Sequence, residues 1–537
     1  MRRTLSWTLL LLITIPWLAT IAFPALHSIS TIVNDSQTAT TALSESAVWS
    51  VISIPKLLLA TTLWGSAIAL SAILLALPPA FFLAGASSPL KKRIATALTI
   101  GVLCIPPYIS YWIWGLIRLP GSPLGDYLAK SSPSMHNLAG IIQLWWGLTI
   151  WAWPIPALTI ANALRKIPRT RTDLLTLDAA PPFRRITVLL REARSGILLG
   201  FFLAFLAVIS AAVVFDLAST STTGLTTYTE ALRRLHAEIP NNTAILFASL
   251  PFAIPMLIIA LLAARIFATP PREAPHHSIP ISRATTILTI IILTVAVLSP
   301  IALMLHTLGL SLQPFKELTK TDGHSLIDGL TLALGAGLVF FILTLGFSFA
   351  WNYTTRRPIL KIILTIQAVS WVYASLLPGM TIGTALLQTY NHPFTNLIYH
   401  SPVIIIMGYT ARFGFLPMLI ARWIALNHAQ TTQNLATLDG ARELPDWLAS
   451  VGSSPVTTAI ATAFIGAFLS LGEITTTILV TPPSIQSPAE RLLNRLHYAR
   501  EDAAMATCLI ITIIVYLGGT LAALTLTNSN QNEPTYQ

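Results

Sequence analysis

The sequence predicts an all-α polytopic membrane protein of about twelve transmembrane helices, arranged as two parallel-repeat six-helix halves. Three observations lead there. Apolar residues make up 54% of the 537 residues and charged residues only 10%, with a mean hydropathy of +0.70; a soluble chain carries about a quarter charged residues. Apolar stretches of about 20 residues, enough for a helix to cross the hydrocarbon layer, recur from end to end. One polar pattern, Thr-Leu-Asp followed by small residues, occurs at 176–180 and again at 437–441.

Taken in order, the first stretch covers 4–26. It follows Met1-Arg2-Arg3 like a signal peptide, but it is long enough to span and more spans follow, so it reads as an uncleaved first helix. The next five cover 57–84, 94–118, 138–160, 195–215 and 243–267. The run ATPPREAPHHSIPISR, 268–283, is rich in proline and polar residues and reads as a cytoplasmic linker. Six further stretches follow at 285–307, 327–351, 359–387, 397–422, 455–480 and 503–527. The chain thus divides into a first half, 1–267, the linker, and a second half, 284–537. The alternating ten-residue strands of a membrane barrel are absent.

Basic residues orient these spans. With the N-terminus in the cytoplasm, 21 of the 32 Lys and Arg residues fall in inside segments and ten in outside segments, with Arg412 within a span. Both termini are therefore expected inside, and two six-span halves of the same orientation are related by an axis along the membrane normal. The net charge of +11 is explained by these loops and implies no nucleic-acid partner. Cys104 and Cys508 both lie in apolar stretches and imply no disulfide framework. Tyr108, Tyr111, Trp112, Trp114, Trp145, Trp146, Trp151 and Trp153 read as interfacial anchors and core.

Both polar islands fall between the fourth and fifth spans of their half, on the cytoplasmic side. Each begins with an acid and small residues and continues amphipathically. A short helix of this kind lies along the membrane face and docks into a partner's groove, and two such loops suit a two-fold symmetric partner. Read singly, the pattern is no more than an Asp capping a helix start.

On these residues the chain resembles the fused, two-half permeases of binding-protein-dependent ABC importers, whose fold is the type I importer permease. That family carries a cytoplasmic Glu-Ala-Ala motif followed by x-Leu-Asp-Gly-Ala. Here the first copy is Asp173-Leu174-Leu175-Thr176-Leu177-Asp178-Ala179-Ala180 and the second Asn434-Leu435-Ala436-Thr437-Leu438-Asp439-Gly440-Ala441. The first copy has Asp173 for Glu and Ala179 at the Gly position; the second keeps Gly440 but has Asn434 where an acid is usual. Tyr409 to Pro417, Leu469-Ser470-Leu471-Gly472-Glu473-Ile474 and Arg491-Leu492-Leu493-Asn494-Arg495-Leu496-His497-Tyr498 resemble the ferric-iron and thiamine type. The resemblance implies alternating access driven by a separate cytoplasmic ATPase dimer, with ATP on those subunits and no cofactor on this chain. It implies an extracytoplasmic solute-binding protein as second partner, a place in the inner membrane, and ferric iron as the first candidate solute. No Gly-Lys dipeptide occurs, so no phosphate-cradling P-loop is available and hydrolysis is expected on the partner.

Within the spans, Glu473 and Arg412 stand out, since intramembrane charges are costly and are functional or structurally paired. Arg412 is expected to snorkel toward the cytoplasmic end or to pair with an acid of the other half. Gly472 permits close helix approach. Pro107 and Pro378-Gly379 are expected to break their helices, and freed backbone groups often line a pathway. Outside, Arg491, Arg495, His497 and Tyr498 form either a contact for the binding protein or one face of a solvated helix. No metal site is expected; His276-His277 in the linker reads as solvated. The alternative is a secondary transporter of 6+6 spans, which would normally carry several intramembrane ionisable groups; Glu473 and Arg412 are the two identified.

Overall fold

A computed structural model describes residues 11–45, 53–86, 88–178, 181–219, 226–239, 241–268, 282–309, 311–353, 358–427, 447, 454–483, 485, 487–497 and 501–529. The second polar island, with Asn434, Leu438, Asp439, Gly440 and Ala441, lies outside these residues, as do Ala179, Ala180, Tyr498 and most of the linker.

Every regular element among the described residues is a helix. Eight are long and apolar enough to cross a membrane, and up to eleven if each of three bent pairs counts as one span. The protein is therefore a multi-pass helical membrane protein. The N-terminal part contains α1 (Leu11–Asn34) and α2 (Ile54–Gly85), then the bent pair α3 (Pro89–Cys104) and α4 (Pro107–Gly115). Next come α5 (Pro133–Ala152) and α6 (Pro154–Arg165), which run on as one apolar stretch. The polar segment α7 (Arg169–Leu177) and the amphipathic α8 (Pro182–Glu192) lead into α9 (Arg194–Ile209), short α10 (Ala212–Ala218), α11 (Tyr228–Glu238) and α12 (Asn242–Ala268).

The C-terminal part contains α13 (Arg283–Thr307), the 41-residue α14 (Gln313–Tyr353), α15 (Pro358–Leu376) and α16 (Gly379–Tyr390). The bent pair α17 (Val403–Phe413) and α18 (Phe415–Asn427) follows. After them come α19 (Ser454–Leu471), one-turn α20 (Thr477–Val480), amphipathic α21 (Pro488–His497) and α22 (Glu501–Ser529). α3 and α4 meet at 88°, and α17 and α18 at 54°. The sharp α3–α4 bend falls at the Pro106-Pro107 pair, where the missing amide protons interrupt the helical ladder.

Two long-range crossings set the packing. α1 buries Ile13 and Ile21 against Phe347 of α14, Trp371 of α15 and Met418 of α18. α13 in turn buries Ala296 and Met304 in the cluster built on α2, α4, α5 and α22. Each of these two helices contains one π turn, Leu18–Ala22 in α1 and Thr294–Leu298 in α13. A π turn widens the ladder and leaves carbonyls available to side chains. In both turns a tyrosine takes one: Tyr390 donates to the Ala19 carbonyl at 2.7 Å and Tyr516 to the Ala296 carbonyl at 3.0 Å. Lipid supplies no hydrophobic drive between helices, so such hydrogen bonds and close packing carry the association.

Candidate transport pathway and coupling surface

The residues expected to break or charge the spans converge on one buried place. α3 ends at Cys104 and α4 begins at Pro107, with Pro106 extended between them (φ −55°, ψ 132°). α15 ends at Leu376 and α16 begins at Gly379, with Pro378 extended between them (φ −55°, ψ 140°). The residue matching Pro378 is therefore Pro106. Pro107 holds the first helical position, which its fixed φ and absent N–H suit, and matches Gly379.

Each break leaves carbonyls without helical partners. Trp151 Nε1 donates to the Ile105 carbonyl at 2.7 Å. Arg412 Nη1 donates to the Leu377 carbonyl at 2.6 Å and the Ser375 carbonyl at 3.0 Å. Trp151 stands two residues before the α5–α6 junction at Trp153, and Arg412 two before the α17–α18 junction at Gly414. Trp151 is thus a buried donor and no interfacial anchor.

Arg412 reaches further. Its Nη2 lies 3.4 Å from the Ser210 carbonyl, at the break between α9 and α10, and its Nε lies 3.7 Å from Glu473 Oε2. Both charged residues are buried, at 7% and 8% exposure. The arginine does not snorkel, and its acid comes from the same half of the chain. Glu473 Oε1 accepts from Thr475 Oγ1 at 2.5 Å, Thr476 Oγ1 at 3.1 Å and the Thr476 amide at 3.0 Å, so the carboxylate braces the turn into α20. The glycines permit this approach. A Cβ on Gly472 would stand 2.6 Å from Pro106, and one on Gly379 would stand 2.0 Å from Thr475 Oγ1. Ser210, Thr475 and Thr476 escaped the sequence reading, and Trp151 was read only as one of eight aromatics serving as interfacial anchors and core; the Glu-Ile-Thr-Thr-Thr run at 473–477 is the one local signal for the two threonines.

A second buried acid was also missed. Asp216 directly follows the stretch 195–215 read as the fifth span, but the helix stops at Ile209 and the short α10 carries Asp216, buried at 0% exposure. It pairs with Arg233 of α11. Beside it, Glu230 pairs with Arg234, accepts from Ser219 Oγ at 2.7 Å and closes a capping box with Thr227. Burial pushes the Glu230 carboxyl above the usual range, against the pull of Ser219 and Arg234. α11 is pinned inward as well: Thr61 Oγ1 accepts from the Tyr228 amide at 2.8 Å, and Thr229 Oγ1 donates to the Ile209 carbonyl at 3.1 Å.

The first polar island lies on and just after α7. Asp173 and Leu177 are exposed on α7, and the Asp178 amide closes its last turn on the Leu174 carbonyl at 2.9 Å. Asp178 therefore ends a helix and caps no helix start. Leu175 packs toward the buried Leu164 and Leu189 cluster, while Leu177 stays 80% exposed and Phe183 of α8 83%. Arg171 pairs with Glu192 across the two helices. At the other end, α21 buries Leu492 and Leu493, leaving Arg491 and Arg495 half-buried; Arg495 Nη1 reaches the Ala503 carbonyl at 3.4 Å. His497 ends that helix.

Among the described residues, no three His, Cys, Asp or Glu side chains come together as a metal site. No family model matches the chain, and neither a curated protein nor a solved structure matches it. The functional reading therefore rests on the residues and their geometry.

Proposed function

We propose that this chain is the membrane-spanning permease subunit of an ATP-driven importer, built from two fused six-helix halves and receiving a small solute from an extracytoplasmic binding protein. The observation that carries the reading is the matched pair of proline breaks, at Pro106 and Pro378, each with its last free carbonyl held by a donor from the following span. Broken helices meeting near the middle of a bundle are the usual construction of transporter pathways, because irregular backbone is tolerated there only when buried in protein or lining a cavity. The matched π turns in α1 and α13, each holding a tyrosine hydroxyl, support the same two-half division. Twelve spans follow when each bent pair is one span and α19 with α20 is another. The basic-residue bias supports termini in the cytoplasm of an inner-membrane protein.

The coupling to ATP rests on the first island. Leu177 and Phe183 are large apolar side chains left exposed near Asp173 and Asp178, on a polar face that the other described residues do not cover. A cytoplasmic ATPase dimer is the partner this surface and its second copy at 434–441 would grip. Ferric iron is the first solute to test.

The deciding experiment is reconstitution with the neighbouring ATPase and binding-protein gene products. ATP-dependent uptake, with the ATPase co-purifying and lost on disruption of the loops at Asp178 and Asp439, supports the reading. Uptake that ignores ATP and collapses with an uncoupler marks an ion-driven carrier instead.

A further inference from the structure

We propose that Arg412 is a mid-membrane latch, a positioning residue that holds three broken spans shut against one another and lets go when the pathway opens. The inference rests on the reading of the chain as a transport pathway. It goes further in naming the contact that parts.

A guanidinium carries five N–H donors in a rigid fork, so one arginine can hold several acceptors from different elements. Arg412 touches acceptors on three breaks: Ser375 and Leu377 at the α15–α16 break, Ser210 at the α9–α10 break, and Glu473 at the α19–α20 break. The distances are graded. The two bonds to the α15–α16 break are 3.0 and 2.6 Å, while Ser210 lies at 3.4 Å and the closest Glu473 oxygen at 3.7 Å. The first two are full hydrogen bonds, the third is at the limit, and the last is an ion-pair contact longer than a hydrogen bond. Arg412 is thus fastened to the end of α15 and the break that follows it, and only leans on α9–α10 and α19–α20. Parting along the long contacts keeps both short bonds, and Glu473 keeps its three bonds from Thr475 and Thr476. Both groups remain hydrogen-bonded, so opening does not leave a bare buried charge. Such a contact is bistable, which a switching element requires.

The test uses the full solubilised chain with Cys104 and Cys508 replaced by alanine and a single reporter, Ala211→Cys, beside the Ser210 carbonyl. Ala211 is buried and adjoins the contact. The rate of modification by a membrane-impermeant, positively charged methanethiosulfonate reagent is measured. Arg412→Gln is expected to raise that rate by about tenfold or more, and Arg412→Lys, which keeps the charge, to stay within about threefold of the parent, because removing one partner of a buried pair shifts the shut–open balance strongly. An Arg412→Gln rate within about twofold of the parent, in a folded monodisperse protein, overturns the latch; a lowered melting temperature with unchanged reactivity does the same. If Arg412→Gln does not fold, Glu473→Gln decides by the same comparison. Raised reactivity in a chain that binds no ATPase leaves the latch standing and sinks the importer reading. Unchanged reactivity in a chain that does bind it has the reverse effect.

Discussion

Trp151 and Arg412 occupy matching places at two separate helix breaks. The indole N–H of one and the guanidinium of the other each hold the carbonyl of the residue just before a proline, Ile105 at 2.7 Å and Leu377 at 2.6 Å. Helix ends inside a membrane have no water to satisfy them, so each break needs an internal donor. The two solutions differ in charge: one is neutral, the other brings a cation and with it the need for Glu473.

Trp151→Phe should expose the cost of losing such a donor. The ring volume is largely kept while the Ile105 carbonyl loses its side-chain partner. A loss of about 1 kcal/mol in unfolding free energy is expected. Trp153→Phe is the control, because the Trp153 indole nitrogen has no hydrogen-bond partner among the described residues. It should change stability much less. Thermal or denaturant unfolding in detergent measures both.

Gly472→Ala and Gly379→Ala should each destabilise the bundle by about 1–3 kcal/mol through overpacking, since the new methyl group meets Pro106 or Thr475 at impossible range. Gly323→Ala, on α14 with nothing within 4 Å of its added carbon, should be neutral or slightly stabilising. Comparable melting temperatures for all three variants would refute the close approach.

Glu230 should give the short helix α11 a pH dependence. Its carboxyl is raised in the folded protein, first by burial, so the folded state holds the proton more tightly than the unfolded one. Its contribution is then full below the ordinary glutamate range and is lost as pH rises through the raised value. Hydrogen exchange of the α11 amides should quicken as pH rises out of the ordinary glutamate range and through the raised value, after correction for intrinsic exchange. Glu230→Gln should remove that step. His236, whose ring burial pulls downward, slopes the other way: its contribution is present above its ordinary value of 6.5 and lost as pH falls.

Leu177→Ser with Phe183→Ser should separate docking from folding. Both side chains stand in water, so stability should move by no more than about 0.5 kcal/mol. If the proposed ATPase partner docks here, its co-purification should fall by about tenfold or more, as expected for anchors of a buried interface core. Undiminished co-purification would remove them from the coupling surface.

The sequence by itself determined the solvent. Long apolar stretches read the bilayer directly, and against the twelve predicted the described residues contain eight helices able to cross, or up to eleven if each bent pair is one span. The first polar island, Glu473, Arg412, Gly472 and the Pro378 break were also legible, because charge, glycine and proline are conspicuous against an apolar background. Only the tertiary structure decided their partners. Hydropathy measures one residue against its surroundings and says nothing of which carbonyl, some 35 or 202 positions away, a guanidinium will meet. That is why Pro107 was chosen where Pro106 makes the extended break, why the aromatics around Trp151 were not divided between anchors and core, and why Asp216 passed unnoticed just after an apolar run. A buried donor and an interfacial one have the same letter in the sequence, and only packing separates them.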